Sequence, residues 1–270
     1  MRTIICIQAR ASSSRLPGKV LLPLTGATLL ERMIERVRAA RIDAEIVVIT
    51  SAESGDDCIP QLSKRLRVHC FRGHLTDLLD RHYQAARRYG ASIIAKIPSD
   101  CPLVDPAIIR RAFEAFRSGN YDYVSNLHPA TYPDGNDVEV FRFSALEQAW
   151  REGTRDFERE HTTPFLWERP ERFRIGNVTW ETGLDYSMTH RWTIDYPEDY
   201  EFIRTIYDYL WKPERPIFSM TDILELLHTH PEIMEINARY RGVNWYRNHL
   251  DVLHTIAPEQ TRLLQQELVA

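Results

Sequence analysis

TIICIQARASSSRLPGKVLLPLTGATLLERMIERVRAA, residues 3–40, contains the two periodicities that decide the fold. The run TIICI is continuously apolar, as a strand covered on both faces must be. Farther along, Thr28 and Glu31 stand at capping-box spacing, and Leu29, Leu30, Met33, Ile34 and Val37 line one face of a helix. Strand, loop, helix is therefore the first unit. The pattern repeats outward: EIVVIT at 45–50, a polar helical stretch from Asp56, VHCF at 68–71, a helix over 76–89, SIIAKI at 92–97 and a helix over 106–116. Such alternation predicts an α/β fold built from βαβ units around a mainly parallel sheet.

After YDYVSN the pattern loosens. HPATYPDGNDVEVFRF reads as a turn-rich active-site loop feeding a strand or hairpin, and a helix is predicted to start at Ser144, with Glu147 at capping-box spacing. RWTIDYPEDYEFIRTIYDYL reads as a short strand, a loop and a helix opening at Pro197, with Glu198 and Asp199 in its first turn. The aromatic residues of that helix suit core packing or an oligomer surface, a homodimer being one such assembly. Beyond Pro213 the chain is expected to be helical, which divides it into a catalytic domain over 1–212, elaborated from about residue 125, and a C-terminal extension over 213–270.

Composition excludes several classes. With 43% hydrophobic and 27% charged residues the chain is an ordinary globular protein, and a net charge of -4 provides no footprint for a nucleic-acid polymer. Cys6, Cys58, Cys70 and Cys101 form no CxxC pair and read as reduced thiols, and the ten histidines form no HExxH motif. Gln8 and Arg10 interrupt the first apolar run too early for a secretion signal, and no apolar run approaches the ~18 residues that cross a bilayer. A cytoplasmic setting is expected.

The loop from Gln8 to Leu21 carries the strongest chemistry. It combines the small hydroxyls of Ser12, Ser13 and Ser14 with Gly18 for a close turn and the cations Arg10, Arg15 and Lys19. Backbone N–H groups in a tight loop plus cationic side chains are what a triphosphate needs. The bland alternative is a solvated loop between strand and helix. Neither GxxxxGK[ST] nor GxGxxG follows the first strand, which argues against a P-loop kinase and a nicotinamide dehydrogenase. Asp100 follows SIIAKI and faces the same crevice, since ligands of open α/β sheets collect beyond the carboxyl ends of the strands. It is a hard ligand suited to magnesium; Asp105 reads better as the cap of the helix beginning at Pro106. Asp195 closes another apolar run, so the two aspartates are candidates to converge on one metal.

Together, Gln8–Leu21, SDCPLVDP, DGNDVEVF, EHTTPF and TIDYPEDYEFI resemble the SpsF-type cytidylyltransferases of spore-coat polysaccharide synthesis, a family similar to the CMP-Kdo and CMP-sialate synthetases. The resemblance runs from residue 1 to about Leu210 and more weakly into INARYRGVNWYRN. It implies a Rossmann-like sheet of the nucleotide-diphosphosugar transferase type, with helices on both faces and a helical C-terminal extension. CTP would lie over the first loop, contacting Gln8, Ala9, Arg10, Ser12, Ser13, Ser14, Arg15, Gly18, Lys19 and Asp100. Arg15, Lys19, Asp100 and Asp195 would be catalytic, the two aspartates as ligands of Mg2+. The chain departs from the family pattern at Ser99, commonly Gly, and at Lys96, commonly Arg.

The expected reaction is in-line attack of a sugar-like acceptor on the α-phosphorus with loss of pyrophosphate. Asp134, Asn136, Glu139, His161 and Arg191 are the candidate acceptor residues, with His190 beside Arg191 in a possible charge clamp. Each has a plainer role open to it: a turn at Asp134-Gly135, a solvent-facing strand position at Glu139, a helix-surface or core hydrogen bond at His161, and surface solvation at Arg191. A glycosyltransferase consuming a nucleotide sugar and a non-catalytic nucleotide-binding scaffold are the competing functions.

Overall fold

The computed structural model of the chain describes residues 1–13 and 15–264. In chain order the elements are β1 (Thr3–Gln8), β2 (Pro23–Leu24), β3 (Ala27–Thr28), α1 (Leu29–Ala39), β4 (Glu45–Ser51), α2 (Cys58–Arg65), β5 (His69–Gly73), α3 (Leu78–Tyr89), β6 (Ile93–Pro98), α4 (Pro106–Ser118) and β7 (Tyr123–Ser125). They continue with β8 (Glu139–Arg142), α5 (Phe143–Glu152), α6 (Asp156–His161), α7 (Pro164–Trp167), β9 (Ile175–Asn177), α8 (Pro197–Leu210), α9 (Met220–Thr229) and α10 (Glu232–Glu235). Seven strands make one sheet in the order β5-β4-β1-β6-β8-β7-β9, in which β8 alone runs against its neighbours. The mainly parallel α/β sheet is the expected one.

Both faces of the sheet are covered, and the side chains show why the strand sequences are apolar without alternation. Ile5, Ile7, Val48, Ala95 and Ile97 enter a core with α1, α4, α8 and α9, while Ile4, Cys6, Val47, Ile49 and Ile94 enter a second with α3, α5, α6 and α7. Removing one such side chain down to alanine costs ~2–5 kcal/mol, so the central strands are anchored twice over.

Capping sets the helix starts. The Thr28 hydroxyl accepts from the Glu31 N–H at 3.2 Å, and Asp77 accepts from the Asp80 N–H at 2.8 Å. Asp105 caps α4 through the Ala107 N–H at 2.7 Å and also accepts from the Met220 N–H at 2.5 Å, tying the starts of α4 and α9 together. The start at Ser144 is one residue late: α5 begins at Phe143, because β8 runs straight into it and the Phe143 N–H bonds to the Ser92 carbonyl. Thr25 and Gly26, both at positive φ, make the tight β2–β3 turn, which the sequence pattern did not disclose.

RWTID is not a ladder strand. Arg191 makes a single bridge to Asp134, and the Ile194 N–H donates to the Asp100 carbonyl, so this segment pairs with two loops. Beyond residue 213 the chain is helical through α9 and α10, then proceeds in short 3-10 turns. Phe218, Met220, Ile223 and Leu227 share the first core with α1 and α4. Phe202 and Tyr207 of α8 are buried and Tyr209 is exposed. All four cysteines are free, and no helix among the described residues is long and apolar enough to cross a membrane.

Candidate active site

The loop after β1 is pinched at its base. The Ala11 carbonyl accepts from the N–H groups of Ser13 and Gly18, and Gly18 adopts the left-handed conformation, φ 71°, that an L side chain resists. The Ala11 N–H donates to Asp56 at 2.6 Å, and the other Asp56 oxygen takes the Ser51 hydroxyl at 2.5 Å. Burial disfavours the Asp56 carboxylate, but these hydrogen bonds overcome it and hold its pKa below the ordinary value. A fully buried acid thus fixes the loop from beneath. Ser12 and Arg15 are exposed, Gln8, Arg10, Ser13 and Gly18 are half-buried, Ala9 is buried, and Ser14 lies outside the described residues.

Two distant acids converge on this loop. Lys19 Nζ lies 3.3 Å from Asp100 Oδ2, 3.2 Å from Asp195 Oδ1 and 2.6 Å from the Ile194 carbonyl. Arg15 pairs with the same Asp195 oxygen at 2.7 Å. The Ile194 N–H and the Thr193 hydroxyl both bond to the Asp100 carbonyl, at 2.9 and 3.2 Å, which aligns the two acidic segments. Burial opposes the charge on Lys19, yet Asp100 and Asp195 outweigh it and raise its pKa. Burial likewise opposes Asp195, and Lys19, Arg15 and Arg191 reverse it, so this carboxyl is held below its usual range.

Arg191 is the second hub. Its guanidinium holds Asp199 by two bonds of 2.9 Å and reaches Asp195 at 3.4 Å, Asp134 at 3.5 Å and the Val243 carbonyl at 2.8 Å. Asp199 is fully buried and also accepts from the N–H groups of Asp195 and Tyr196, closing the first turn of α8 as a capping box. Asp195 is therefore positioned through its own backbone and through Arg191. His190, the other half of the supposed clamp, stacks on Tyr186 instead.

Asp100, Asp195 and Asp199 face the cations Lys19, Arg15 and Arg191, while burial pushes the Asp134 carboxyl well above its usual range and Asp137 up to about 7, so these two add little negative charge. A triphosphate entering here adds further negative charge and calls for a compensating cation. Magnesium takes one or two carboxylates with phosphate oxygens and water; Asp100 and Asp195 are partly exposed acids of that kind, and Lys19, Arg15 and Arg191 now hold the oxygens that a metal would take.

The acceptor candidates are more enclosed. Asn136 Oδ1 accepts from the Asp105 N–H and its amide donates to the Pro133 carbonyl, so both ends are used to shape the loop. Glu139 is buried, in contrast to a solvent-facing strand position: it pairs with Lys96 at 2.6 Å and accepts from Tyr123 and Thr163 at 2.7 and 2.5 Å. Burial disfavours its charge, but Lys96 and these donors hold its pKa down. Lys96 also donates to the His161 carbonyl at 3.0 Å. That carbonyl takes the Thr163 N–H at 2.9 Å around Thr162, whose φ of 74° and ψ of -51° make a strained γ-turn at a β-branched residue. His161, its ring 3.8 Å from that of Trp245, is depressed to about 3 by burial and then by Lys96 and His249, which leaves the imidazole neutral. Asp137, absent from the sequence candidates, is raised to about 7 by burial and then by Asp100 and Glu139.

The sequence profile of the cytidylyltransferase family matches residues 4–227. The chain belongs to this family. It is 30% identical over 242 residues to the spore coat polysaccharide biosynthesis protein SpsF of Bacillus subtilis, an alignment covering 85% of this chain and 95% of that one. A cytidylyltransferase structure from Leptospira borgpetersenii superposes with a TM-score of 0.81 at 34% identity, covering 87% of this chain and 97% of the other. The 3-deoxy-manno-octulosonate cytidylyltransferase of Geobacter sulfurreducens is 34% identical over 112 residues, 42% of this chain and 44% of its own length.

In this cytidylyltransferase the structure brings Arg15, Lys19, Asp100, Asp195, Asp134 and Arg191 into one charged network. Glu139 and His161 are joined instead through Lys96, and Asn136 stands in the loop that shapes the start of α4. Sequence reasoning missed Asp56, Asp137, and the central position of Asp199, which it took as a helix-dipole acid. A spacing signal did exist for Asp199: it stands three residues after Tyr196, the cap of α8.

Proposed function

We propose that this cytidylyltransferase transfers CMP from CTP to a sugar acid or related surface-polysaccharide precursor and releases pyrophosphate, in the cytoplasm. The observation that carries this reading is Lys19 lying between Asp100 and Asp195 with Arg15 beside them, at the mouth of the loop after β1. The likeness to SpsF and to a 3-deoxy-manno-octulosonate cytidylyltransferase supports the acceptor class.

In this mechanism Ala9 and Arg10 border the nucleotide, while Gln8, Ser12, Ser13 and Gly18 shape the loop around it. Arg15 and Lys19 release their hold on Asp195 and bind phosphate oxygens, stabilising charge as the acceptor oxygen attacks the α-phosphorus and pyrophosphate departs. Asp100 and Asp195 would hold magnesium, which when bound neutralises charge on those oxygens. Arg191 keeps Asp195 in place, and Asp134 and His161 face the acceptor. Asn136 acts through the backbone it holds, and Glu139 through Lys96, which secures the His161 carbonyl.

The test is pyrophosphate release from each of the four nucleoside triphosphates with magnesium and a panel of sugar acids, alongside direct measurement of CTP binding. Release with CTP supports the proposal. No CTP binding together with no release across the panel would sink it.

A further inference from the structure

One stretch of chain beyond the profile-matched residues, Asn237 to His249, grips four residues of the crevice. The Asn237 amide donates to Asp199 at 3.0 Å and to the Arg191 carbonyl at 2.9 Å. Tyr240 stacks on Tyr196 with ring centroids 3.8 Å apart and planes within 4°. The Val243 carbonyl takes Arg191 Nη1 at 2.8 Å, and Trp245 stacks on His161 at 3.8 Å. These contacts reach the arginine that holds the acids, the aromatic cap of α8, and the turn that Lys96 secures.

Two polar groups are free here, one in this stretch and one on the α6 residue that its Trp245 covers. Asn244 fixes the backbone of Tyr246 through a 3.0 Å bond to its N–H, and the Tyr246 ring packs against His128 and Trp167. Its hydroxyl has no hydrogen-bond partner among the described residues and lies within electrostatic range of Asp137, Glu139 and Asp134. Neither ring nitrogen of His161 has a hydrogen-bond partner among the described residues. A phenol and a neutral imidazole offer no charge; they offer hydrogen bonds of the kind that sugar hydroxyls return.

We infer that residues 237–249 form a strap that completes the acceptor site, with Tyr246 of the strap and His161, on which its Trp245 stacks, as the hydroxyl-reading groups and Asn237 as a positioning residue behind Arg191 and Asp199. The acceptor named here rests on the proposed function, and the strap is tested by a readout that does not need turnover. Tyr246→Phe removes one hydroxyl and keeps the ring packing. Its expected effect is an acceptor KM raised about tenfold, the scale of one lost hydrogen bond, with the KM for CTP and the melting temperature unchanged.

In parallel, saturation-transfer NMR with 3-deoxy-manno-octulosonate and N-acetylneuraminate compares wild type and variant. Stronger transfer to a sugar in the wild type than in Tyr246→Phe supports the strap even if CTP is not turned over, in which case the proposed reaction falls and the strap stands. Normal turnover with an unchanged acceptor KM in the variant overturns the strap alone. A lower melting temperature without a KM change assigns Tyr246 to packing and also overturns it, as does absence of transfer to either sugar in the wild type.

Discussion

At the loop after β1, Lys19, Arg15, Asp100 and Asp195 form a half-open ion network in which Arg15 is 43% exposed and Lys19 12%. At the turn after α6, Lys96 and Glu139 form a buried pair, 10% and 3% exposed, whose remaining bonds go to Tyr123, Thr163 and the His161 carbonyl. The first network can trade partners when phosphate arrives. The second spends the bonds it makes inside the protein, and its product is a shape: the turn at Thr162. The difference teaches that like-looking Lys-carboxylate pairs in one site divide between chemistry and scaffolding according to their access to water.

The largest expected effect comes from breaking the open network. Asp100→Asn keeps the size of the side chain and removes its charge, so kcat should fall about 10²–10³-fold, as for loss of one transition-state electrostatic partner, with little change in melting temperature. Steady-state kinetics across a magnesium titration checks this. A variant that unfolds, or retains full kcat, would mean that the two networks are not different in kind.

The buried pair should answer in the opposite currency. Lys96→Met strands the Glu139 carboxylate and should cost roughly 3–5 kcal/mol of stability, read from denaturant unfolding. Adding Glu139→Gln should recover part of that loss, because an uncompensated charge no longer remains. If the double variant is no more stable than Lys96→Met, stranded charge is not what the single variant suffers from.

The two sides also differ in how far they could be read in the sequence. Gln8 to Leu21 is contiguous, and its mixture of serines, glycine and cations declares its chemistry without a partner in view. Its partners are 81 and 176 residues from Lys19, and strand-end position together with the family resemblance pointed to both, even though RWTID proved not to be a strand. Helix α4 and the parallel sheet were legible because apolar period and capping are local. The role of Glu139 was not, because a glutamate in an alternating strand looks the same whether it faces water or a lysine on the neighbouring strand. Asp56 and Asp137 were invisible for a related reason: their importance lies in burial, which only the tertiary fold creates. Asn237 and Tyr246 do their work by contacts with residues far away in sequence, and no spacing encodes them.

Acid should draw a response from the buried histidines. His82 is depressed to about 3, His128 to about 4 and His161 to about 3, each chiefly by burial. Histidine in the unfolded chain binds its proton near the ordinary 6.5, so between that value and about 3 the unfolded state holds more protons than the native one. Stability from these groups is present above pH 6.5 and is lost as the pH falls through that window. Melting temperature measured from pH 8 to 4 should drop below 6.5, and His82→Gln should flatten part of the fall. An unchanged slope in that variant would place the acid sensitivity elsewhere.

The smallest effect expected on stability is the most informative about the turn. Thr162→Gly relieves a positive-φ conformation that costs of order 1–3 kcal/mol. It also gives up the hydroxyl that lies 3.2 Å from His82 Nδ1, and it admits the greater freedom of glycine in the unfolded chain. These contributions oppose one another, so the unfolding free energy should move by no more than about 1 kcal/mol either way. If the γ-turn is maintained only to aim His161, the relaxed backbone should let the imidazole leave Trp245, and the acceptor KM should rise while the KM for CTP stays put. A variant with wild-type acceptor KM would show that Lys96 and Glu139 stabilise the turn for packing alone, and the contrast between a chemical and a scaffolding ion pair would then end at the protein core rather than reach the acceptor.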